Sequence, residues 1–392
     1  MSATELSPPN SASVAIRGRW GTSAVFFLNG FVFASWVLHV PTMRDKLNLS
    51  PAVLGLALLA IAVGSLLTMP LTGTLVARFG SQLVTRLFAL VNPLVLLPLL
   101  LAPNLGTQVV ALALYGAVSG GLDVAMNAQG VAVERALKKA VLSSFHAWWS
   151  LGGLAGAGLG SLLLSLGVAP LWHVSSVALP FVLVALLAGT ILLPPRFDLH
   201  ENTPEKPRQR GIPRVIVLLG ALGFVGLLGE GAVADWSAVY YRDYLGASIG
   251  GAGVGYVAFI FAMTVGRMLG DQARAKLGGQ WVLRGGAALS SLGLLAALLS
   301  PSPLLAALGF AASGLGIANI VPVLFDAASR AGNAGPAIAQ VSTIAYLGFL
   351  AGPPVVGFVA EATSLGLALG LVAGLIALVA LLGGLAWRPA RH

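Results

Sequence analysis

The sequence predicts an all-α membrane protein of twelve transmembrane helices, arranged as two pseudo-symmetric six-helix bundles. Three observations lead to this prediction. Of the 392 residues, 57% are hydrophobic and 9% are charged, whereas a soluble domain has about 25% charged residues. Apolar runs of about 20 residues, enough to cross a bilayer, recur about twelve times. Short motifs of the first half return about 198 positions later in the second half.

The twelve predicted spans follow one another with short connections, and each boundary is expected to hold within a few residues. Their ranges are 20–41, 52–76, 83–102, 106–133, 141–165, 171–193, 215–240, 250–271, 281–299, 303–327, 336–360 and 364–386. The polar segment 194–213 contains five prolines and is predicted to be a cytoplasmic linker between bundles at 19–193 and 214–387. Residues 1–18 are predicted to be a disordered cytoplasmic tail, and residues 388–392 a second cytoplasmic tail.

The net charge of +9 is interpreted as a topology signal. With the N-terminus in the cytoplasm, 19 of the 22 lysines and arginines fall on the inner side, as the positive-inside rule requires. This predicts a multi-pass protein of the bacterial inner membrane, in contact with the lipid bilayer, with both termini cytoplasmic. The charge then needs no nucleic-acid partner. The chain is expected to be a monomer.

Several kinds of chemistry are not expected. The chain contains no cysteine, which excludes disulfides, thiol catalysis and cysteine metal sites. It contains no phosphate-loop motif of the form that binds ATP. The spacing of histidines and acids suggests no metal site, and no nucleophile–base–acid arrangement stands out. We therefore predict a protein that is not an enzyme and has no metal or cofactor.

Internal similarity indicates a duplicated six-helix unit. Segment 77–82 (ARFGSQ) matches 275–280 (AKLGGQ), segment 151–156 (LGGLAG) matches 347–352 (LGFLAG), and Trp36 matches Trp236. The three offsets are 198, 196 and 200 positions. Parallel repeats of this kind place a substrate site at their interface near the middle of the membrane.

Segment 73–82 (GTLVARFGSQ) resembles the signature loop of the major facilitator superfamily (MFS) at Gly73, Arg78 and Gly80, although Ala77 stands where the family usually has an acid. The second half retains an acid, in Arg267 and Asp271, and segment 348–357 (GFLAGPPVVG) is also common in the family. Segments 145–153 (FHAWWSLGG) and 230–236 (EGAVADW) are similar to a poorly characterised bacterial branch, distantly similar to sugar permeases.

The resemblance implies the MFS fold and a secondary carrier that works by alternating access, as symporter or antiporter, with protons as the coupling ion. It makes Gly73, Arg78, Gly80, Arg267 and Asp271 the candidates for the gating loops. Arg267 and Asp271, four residues apart, are expected to form a structural pair at the inner end of the eighth span.

Four ionisable residues are candidates for proton coupling: Glu230, Asp235, Asp123 and His146. An ionised carboxylate costs several kcal/mol in hydrocarbon and must face protein, water or a partner. We expect Glu230 about 24 Å along the seventh helix, in the outer part of the membrane, where flanking glycines permit a local break. Asp235 is expected near the outer surface, where pairing with Arg242 is the competing explanation.

Asp123 and Asn127 are four residues apart and share one face of the fourth helix, towards the cytoplasmic side. The alternative role for Asp123 is a structural contact between helices, for which His146 is one expected partner. His146 and Trp149 share a face of the fifth helix, and Trp148 is expected to point elsewhere.

Polar and aromatic side chains within the spans are the candidates for substrate binding. Asn29, Phe33 and Trp36 form a stripe on the first helix that suits a small solute with apolar and polar faces. The further candidates are Asn127, Trp149, Asn319, Gln340 and Tyr346. Ordinary helix packing with buried amides is the competing explanation for each of them.

The resulting prediction is a secondary active transporter that moves a small organic solute across the inner membrane by proton-coupled alternating access. Import and export both remain open, so a drug or metabolite efflux antiporter is one alternative. A transporter-like sensor without flux is the other, and the missing acid at Ala77 fits it.

Overall fold

The computed structural model describes residues 11–139, 141–197, 213–330 and 334–387, and these residues form helices and no strand. Within them, twelve segments are long and apolar enough to cross a membrane, and we number them spans 1 to 12. Spans 1 to 6 consist of Ser11–Val37 with Val40–Leu47, Pro51–Phe79, Ser81–Val91 with Leu96–Leu101, Leu105–Leu137, Leu142–Ser165 and Pro170–Ile191. Spans 7 to 12 consist of Arg214–Tyr244, Val254–Leu277, Gly279–Leu299, Pro303–Ile317 with Ile320–Arg330, Ala334–Ala362 and Leu365–Leu382.

Short 3-10 helices occur at Pro195–Phe197, Gly251–Gly253 and Gly383–Trp387. The even number of spans in each half puts the described ends of the chain and the connection between the halves on one face of the molecule, here called the linker face. The opposite face, here called the far face, contains the connections at 48–50, 102–104, 166–169, 245–253, 300–302 and 363–364.

The predicted fold class is confirmed, and most span boundaries agree within a few residues because a run of apolar residues fixes the length of a span. The prediction of a disordered tail over 1–18 is wrong for residues 11–18, which are the first turns of span 1. Ala15 is buried there, and a Cβ on Gly18 would lie 3.1 Å from the Leu193 Cβ. Most of the predicted linker, residues 1–10 and the last tail lie outside the described residues.

The packing of span 4 on span 2 returns in the second half as the packing of span 10 on span 8. A Cβ on Gly116 would lie 1.9 Å from the Ile61 carbonyl oxygen, and a Cβ on Gly314 would lie 2.1 Å from the Phe259 carbonyl oxygen. Gly314 lies 198 positions after Gly116, and Phe259 lies 198 positions after Ile61. Only glycine lets the two backbones approach this closely, as small residues do at helix contacts in membranes.

A second duplicated contact joins the first helix of each half to the fifth. A Cβ on Gly152 would lie 2.0 Å from the Phe27 carbonyl oxygen, and a Cβ on Gly348 would lie 2.1 Å from the Phe224 carbonyl oxygen. The duplication that the sequence motifs indicate is therefore present in the way the backbones pack.

The two halves meet along spans 2 and 11 and along spans 5 and 8. A Cβ on Gly55 would lie 2.4 Å from the Pro353 carbonyl oxygen, and a Cβ on Gly153 would lie 2.7 Å from the Ile260 Cδ1. These contacts lie at mid-depth or nearer the far face. Spans 1, 4, 7 and 10 are the most buried of the described spans.

Large apolar side chains are exposed along the outside of the bundle, among them Leu67, Leu179, Leu292, Leu304 and Leu381. A soluble protein rarely exposes contiguous apolar surface on this scale. The outer surface therefore suits the hydrocarbon of a bilayer.

Candidate functional site

An ion pair between spans 7 and 8 lies at the middle of the molecule. The Arg267 Nη2 donates to Glu230 Oε1 at 3.2 Å and to Oε2 at 3.4 Å. The Glu230 side chain is 16% exposed and that of Arg267 is 34% exposed. Glu230 is 16 residues from Arg214 and 14 from Tyr244, so it lies near the midpoint of its helix and not in the outer part as predicted.

The guanidinium of Arg267 points across to Glu230 of span 7. The pairing with Asp271 stays a prediction, because the side chain of Asp271 lies outside the part of the chain that the structure describes. The predicted break beside Glu230 is wrong, since span 7 is one continuous helix. Gly229 and Gly231 instead admit Ile376 and Phe349, which a Cβ would meet at 2.7 Å and 2.9 Å.

Asp123 is half-buried in span 4 and bonds to its own helix. The Asn127 Nδ2 donates to the Asp123 carbonyl oxygen at 2.8 Å and to its Oδ1 at 3.2 Å. The shared face predicted for the two residues is confirmed. Asp123 is 18 residues from one end of span 4 and 14 from the other, which is also close to mid-depth. The expected contact with His146 is replaced by the one to Asn127.

Tyr346 of span 11 lies between the charges of the two halves. The carboxylates of Asp123 and Glu230 and the guanidinium of Arg267 are all close enough to act electrostatically on its hydroxyl. Its side chain packs on Phe349, with 6.4 Å between ring centroids, yet it is 54% exposed. A tyrosine this exposed at mid-depth, among charges from both halves, indicates an accessible space between them.

Asp235 lies beyond Glu230 towards the far face. It is half-buried, and the structure shows no ion pair of its carboxylate with any described residue. Its charge acts on the hydroxyls of Tyr115 in span 4 and Tyr256 in span 8. The competing explanation, a surface pair with Arg242, is wrong because Arg242 bonds to Asp45. Asp235 lies about 13 Å below the end of its helix and is not at the surface.

His146 is exposed near the linker-face end of span 5, with its ring edge-on to Phe26 at 5.3 Å between centroids. It is close enough to Arg267 for the two groups to interact electrostatically. Trp149 faces Phe33 of span 1, 5.8 Å away, whereas Trp148 packs against Trp20. The two tryptophans therefore point in different directions, as predicted.

Three of the predicted substrate-binding residues are used for packing. Asn29 is 6% exposed, donates to the Met126 sulfur at 3.6 Å and accepts from Asn92 at 3.3 Å. Trp36 is buried against Tyr115. The Asn319 Nδ2 donates to a backbone carbonyl of span 8 at 2.7 Å. The competing explanation, helix packing, holds for these three side chains. Gln340 is half-buried in span 11.

The backbone conformation at Gly80, one of the gating-loop candidates, explains why this position is a glycine. Its backbone has φ +82° and ψ 153°, and Gly278, 198 positions later, has φ +79° and ψ 151°. This region is essentially restricted to glycine, and it reverses the chain between spans 2 and 3 and between spans 8 and 9. Arg78 lies over the Phe79 ring at 5.2 Å, and Gly73 has open space around its Cβ position.

Two crossed ion pairs join the halves at the far face, and we call them the far-face clasp. Arg44 bonds to Asp243, and the Arg242 Nη2 lies 2.7 Å from Asp45 Oδ2. The Glu361 carboxylate also accepts from the Ala52 backbone N–H at 3.3 Å. Sequence reasoning missed the clasp, although the Arg-Asp dipeptide recurs after 198 positions. It also missed Tyr115 and Tyr256.

A polar stripe runs along span 4 on the side that faces the second half. Tyr115, Ser119, Asp123 and Asn127 follow one another at intervals of four residues and therefore share a face. Tyr115 lies at the depth of Asp235. Asp123 lies near Tyr346. We define the central site as this polar stripe together with Glu230, Arg267, Asp235, Tyr256 and Tyr346.

Twelve spans in two duplicated halves, with an accessible polar site at mid-depth between them, define a transporter of the two-bundle type. Residues 20–270 match the family model described as Major Facilitator Superfamily. An uncharacterized MFS-type transporter of Yersinia pestis is 41% identical over 364 residues, covering 92% of this chain and 93% of that protein. The chain belongs to the major facilitator superfamily.

Solved structures agree on the fold. A mutant of the nucleoside transporter NupG matches with a TM-score of 0.77 at 12% identity, covering 94% of this chain and 100% of that one. A variant of the E. coli fucose:proton symporter FucP matches with a TM-score of 0.60 at 16% identity, covering 94% and 98%. The family match and the relative of Yersinia pestis make the chain an MFS transporter and not an enzyme.

Proposed function

We propose that the chain is a proton-coupled secondary transporter that moves a small organic solute across the bacterial inner membrane. The observation that supports this most is the Glu230–Arg267 ion pair, which lies at mid-depth and acts, together with Asp123 of the other half, on the Tyr346 hydroxyl. Ionisable groups inside a membrane mark substrate and proton pathways. FucP, which shares the fold, is a fucose:proton symporter by name.

In this proposal the two halves rock about the central site. The far-face clasp holds them together at one end, and the site opens to the linker face, which is cytoplasmic because most lysines and arginines lie on that side. Opening to the far face then requires that the Arg44–Asp243 and Arg242–Asp45 pairs separate.

Glu230 is the residue we propose for coupling. Its carboxylate either bonds to Arg267 or takes up a proton, and a neutral carboxyl group no longer pairs with the guanidinium. Protonation therefore changes how spans 7 and 8 hold each other, a local change of charge that biases a two-state element. Asp123 and Asp235 are the further candidates for protonation, and His146 lies on the path to the linker face.

Flux measurements test the proposal. A solute and drug panel screened by thermal shift at two pH values identifies a ligand, and uptake into proteoliposomes is then driven by an imposed pH gradient. We expect uptake or extrusion that stops when a protonophore collapses the gradient. Under the same proton gradient, a symporter moves the solute in the direction of the protons and an antiporter moves it in the opposite direction. The direction of the flux therefore decides between nutrient uptake and efflux.

The alternative function is a transporter-like sensor, which the missing acid at Ala77 favours. A sensor binds the ligand and shows no flux in either direction under any gradient. Binding without flux would therefore contradict the proposed transport function. Liposomes that contain the Glu230→Gln variant serve as the matched control, because that variant keeps the volume of the side chain and removes its carboxylate.

A further inference from the structure

An arginine of the second half lies near the outer, bilayer-facing side of the bundle. Arg284 is five residues after Gly279, the first residue of span 9, so it lies about 7.5 Å from the linker-face end of that helix. Its Nε donates to the Ala380 carbonyl oxygen in the last turn of span 12 at 2.9 Å. Trp281, one turn earlier, is 63% exposed, and Leu381, next to Ala380, is 68% exposed. The half-buried Arg284 thus lies between two helices, beside side chains that face lipid.

Hydrogen-bond donors converge at this place without an acceptor. Among the described residues, Ala380 is the one hydrogen-bond partner of the Arg284 guanidinium, and it uses one of its five N–H donors. A Cβ on Gly384 would lie 3.2 Å from the Gln280 Nε2 and 3.6 Å from the Arg284 Nη1, so the two side chains flank a single point. Neither the Gln280 amide nor the Trp281 indole N–H has a hydrogen-bond partner in the described part of the chain. We call the groove formed by Gln280, Trp281, Arg284 and Gly384 the outer groove.

The equivalent place in the first half is closed. Arg86, 198 positions before Arg284, donates through its Nε to the Gly189 carbonyl oxygen of span 6. Gln82, four residues earlier, donates to the Leu192 carbonyl oxygen at 2.9 Å, and a leucine stands where the second half has its exposed tryptophan. The packing of these helices therefore does not require a free amide or an indole. Both groups are a special feature of the second half.

The chemistry of the outer groove suits a phosphate group at the edge of the hydrocarbon. A guanidinium forms two parallel hydrogen bonds with a phosphate, and a cation at this depth requires a counter-charge or water. Tryptophan is enriched where lipid headgroups lie, and the Trp281 ring centroid is 5.4 Å from the Arg284 Cζ. Basic pockets between transmembrane helices on the cytoplasmic side bind anionic headgroups. An anion that combines a phosphate with apolar chains fits both the donors and the exposed leucines beside them.

We propose that the outer groove binds an anionic phospholipid of the leaflet at the linker face. The phosphodiester accepts hydrogen bonds from the Arg284 Nη groups and the Gln280 amide, and the Trp281 ring lies at the level of the glycerol. An acyl chain of the same lipid extends along Leu289 and Leu292, which are exposed on span 9. This site is separate from the central site, and it does not depend on the transport function proposed above.

Native mass spectrometry of the delipidated full-length protein tests the proposal by counting bound lipids. The protein in detergent is titrated with phosphatidylglycerol or with phosphatidylcholine of the same acyl chains. We expect the first phosphatidylglycerol to bind about tenfold more tightly, a difference of about 1.4 kcal/mol, because hydrogen bonds between charged groups are the stronger ones. Arg284→Gln should remove this preference. Arg330→Gln removes an equal charge from the linker face, where it already pairs with Asp326, and should keep the preference.

Arg284→Gln also removes the bond to span 12, so a second variant separates lipid binding from packing. Gly384→Ala places a methyl group between the two donors and keeps Arg284, and it should weaken phosphatidylglycerol binding several-fold. Gly374→Ala is the matched control, because its Cβ position in the same span has open space.

Equal affinity for the two lipids, or a preference that survives either Arg284→Gln or Gly384→Ala, would overturn the proposal. Displacement of phosphatidylglycerol by inorganic phosphate or glycerol phosphate at the same concentration would also overturn it, because the ligand would then be a soluble phosphate and not a lipid. The titration involves no flux, so a negative result leaves the proposed transport function untouched.

Discussion

The two halves of the molecule have nearly the same backbone packing but very different charges. Gly116 and Gly314 make equivalent contacts with neighbouring backbones, and Gly80 and Gly278 have the same dihedral angles within a few degrees. In contrast, the first half contributes Asp123 to the central site, whereas the second contributes Glu230, Arg267 and Asp235.

This difference separates two requirements of a carrier. Rocking of two bundles needs matched contacts on both sides of the centre, and those contacts are duplicated. Coupling to a proton or a solute needs charges whose partners change, and those charges are not duplicated. The following predictions test the comparison by breaking the matched contacts or by removing the unmatched charges.

The largest expected effect is on stability. Gly116→Ala and Gly314→Ala would each place a Cβ about 2 Å from a backbone oxygen, so the helices must separate. We expect each variant to lose about 3 kcal/mol of unfolding free energy, the upper part of the range for overpacking, as measured by denaturant titration of tryptophan fluorescence. Gly158→Ala and Gly374→Ala have open space and should change little. A large loss in one half alone would show that the packing is not equivalent.

The next effect concerns the charges of the second half. Glu230→Gln should lower the initial rate of pH-gradient-driven uptake by about 100-fold, the lower end of what a positioned proton-transfer group contributes, while solute exchange continues. The measurement is flux of the panel-identified ligand into proteoliposomes, with Asp326→Asn, an exposed acid of span 10, as a control acid outside the central site. Uptake that stays unchanged in the imposed gradient would remove Glu230 from the proton path.

The far-face clasp consists of two equivalent ion pairs. Reversing one charge breaks one pair and leaves the other intact. Arg44→Asp puts an acid opposite Asp243, and the double variant Arg44→Asp with Asp243→Arg restores the pair. Exposed pairs contribute up to about 1 kcal/mol, so the single variant should open the far face several-fold more often. The rate of disulfide formation between cysteines at positions 52 and 361 measures this opening, because the two positions are in contact across the halves. The rate should fall when the far face opens more often.

The matched control for the clasp is Arg330→Asp, which breaks an exposed pair with Asp326 within span 10. The double variant should cross-link at the rate of the parent pair, and so should the control. Equal cross-linking in all four proteins would mean that the ion pairs do not hold the far face together.

The smallest expected effect concerns the charge of the first half. Asp123→Asn removes the carboxylate, keeps the size of the side chain and retains its ability to form hydrogen bonds. We expect the affinity for the panel-identified ligand to depend less on pH between 6 and 8, by a few-fold over that range, as measured by thermal shift or calorimetry. A pH profile identical to that of the parent protein would count against titration of Asp123 during binding.

The sequence was sufficient to predict the fold because apolar length alone determines where a chain crosses a bilayer. It also predicted that Asp123 and Asn127 share a face of span 4, since residues four apart on a helix are neighbours. The bond of Arg267 to Glu230 was missed because the same rule offered only Asp271, whereas Glu230 is on another helix. No spacing rule connects residues on different helices.

Rotation of a helix about its axis was the second source of error. Asn29 and Asn319 are of a residue type that often binds solutes, but their amides point into helix contacts. The depth of Glu230 was misjudged because span 7 continues to Tyr244, four residues beyond the predicted end. The far-face clasp could have been predicted from the repeated Arg-Asp dipeptide had the repeat been followed to the ends of the spans.

The crossed pairing of Arg44 with Asp243 and of Arg242 with Asp45 is self-complementary. Each half contributes one donor and one acceptor at equivalent positions, as in an isologous contact between identical subunits. Two copies of either half, related by the same two-fold axis, would therefore present a compatible surface to each other. This end of the molecule keeps the chemistry of a homodimer within a single polypeptide.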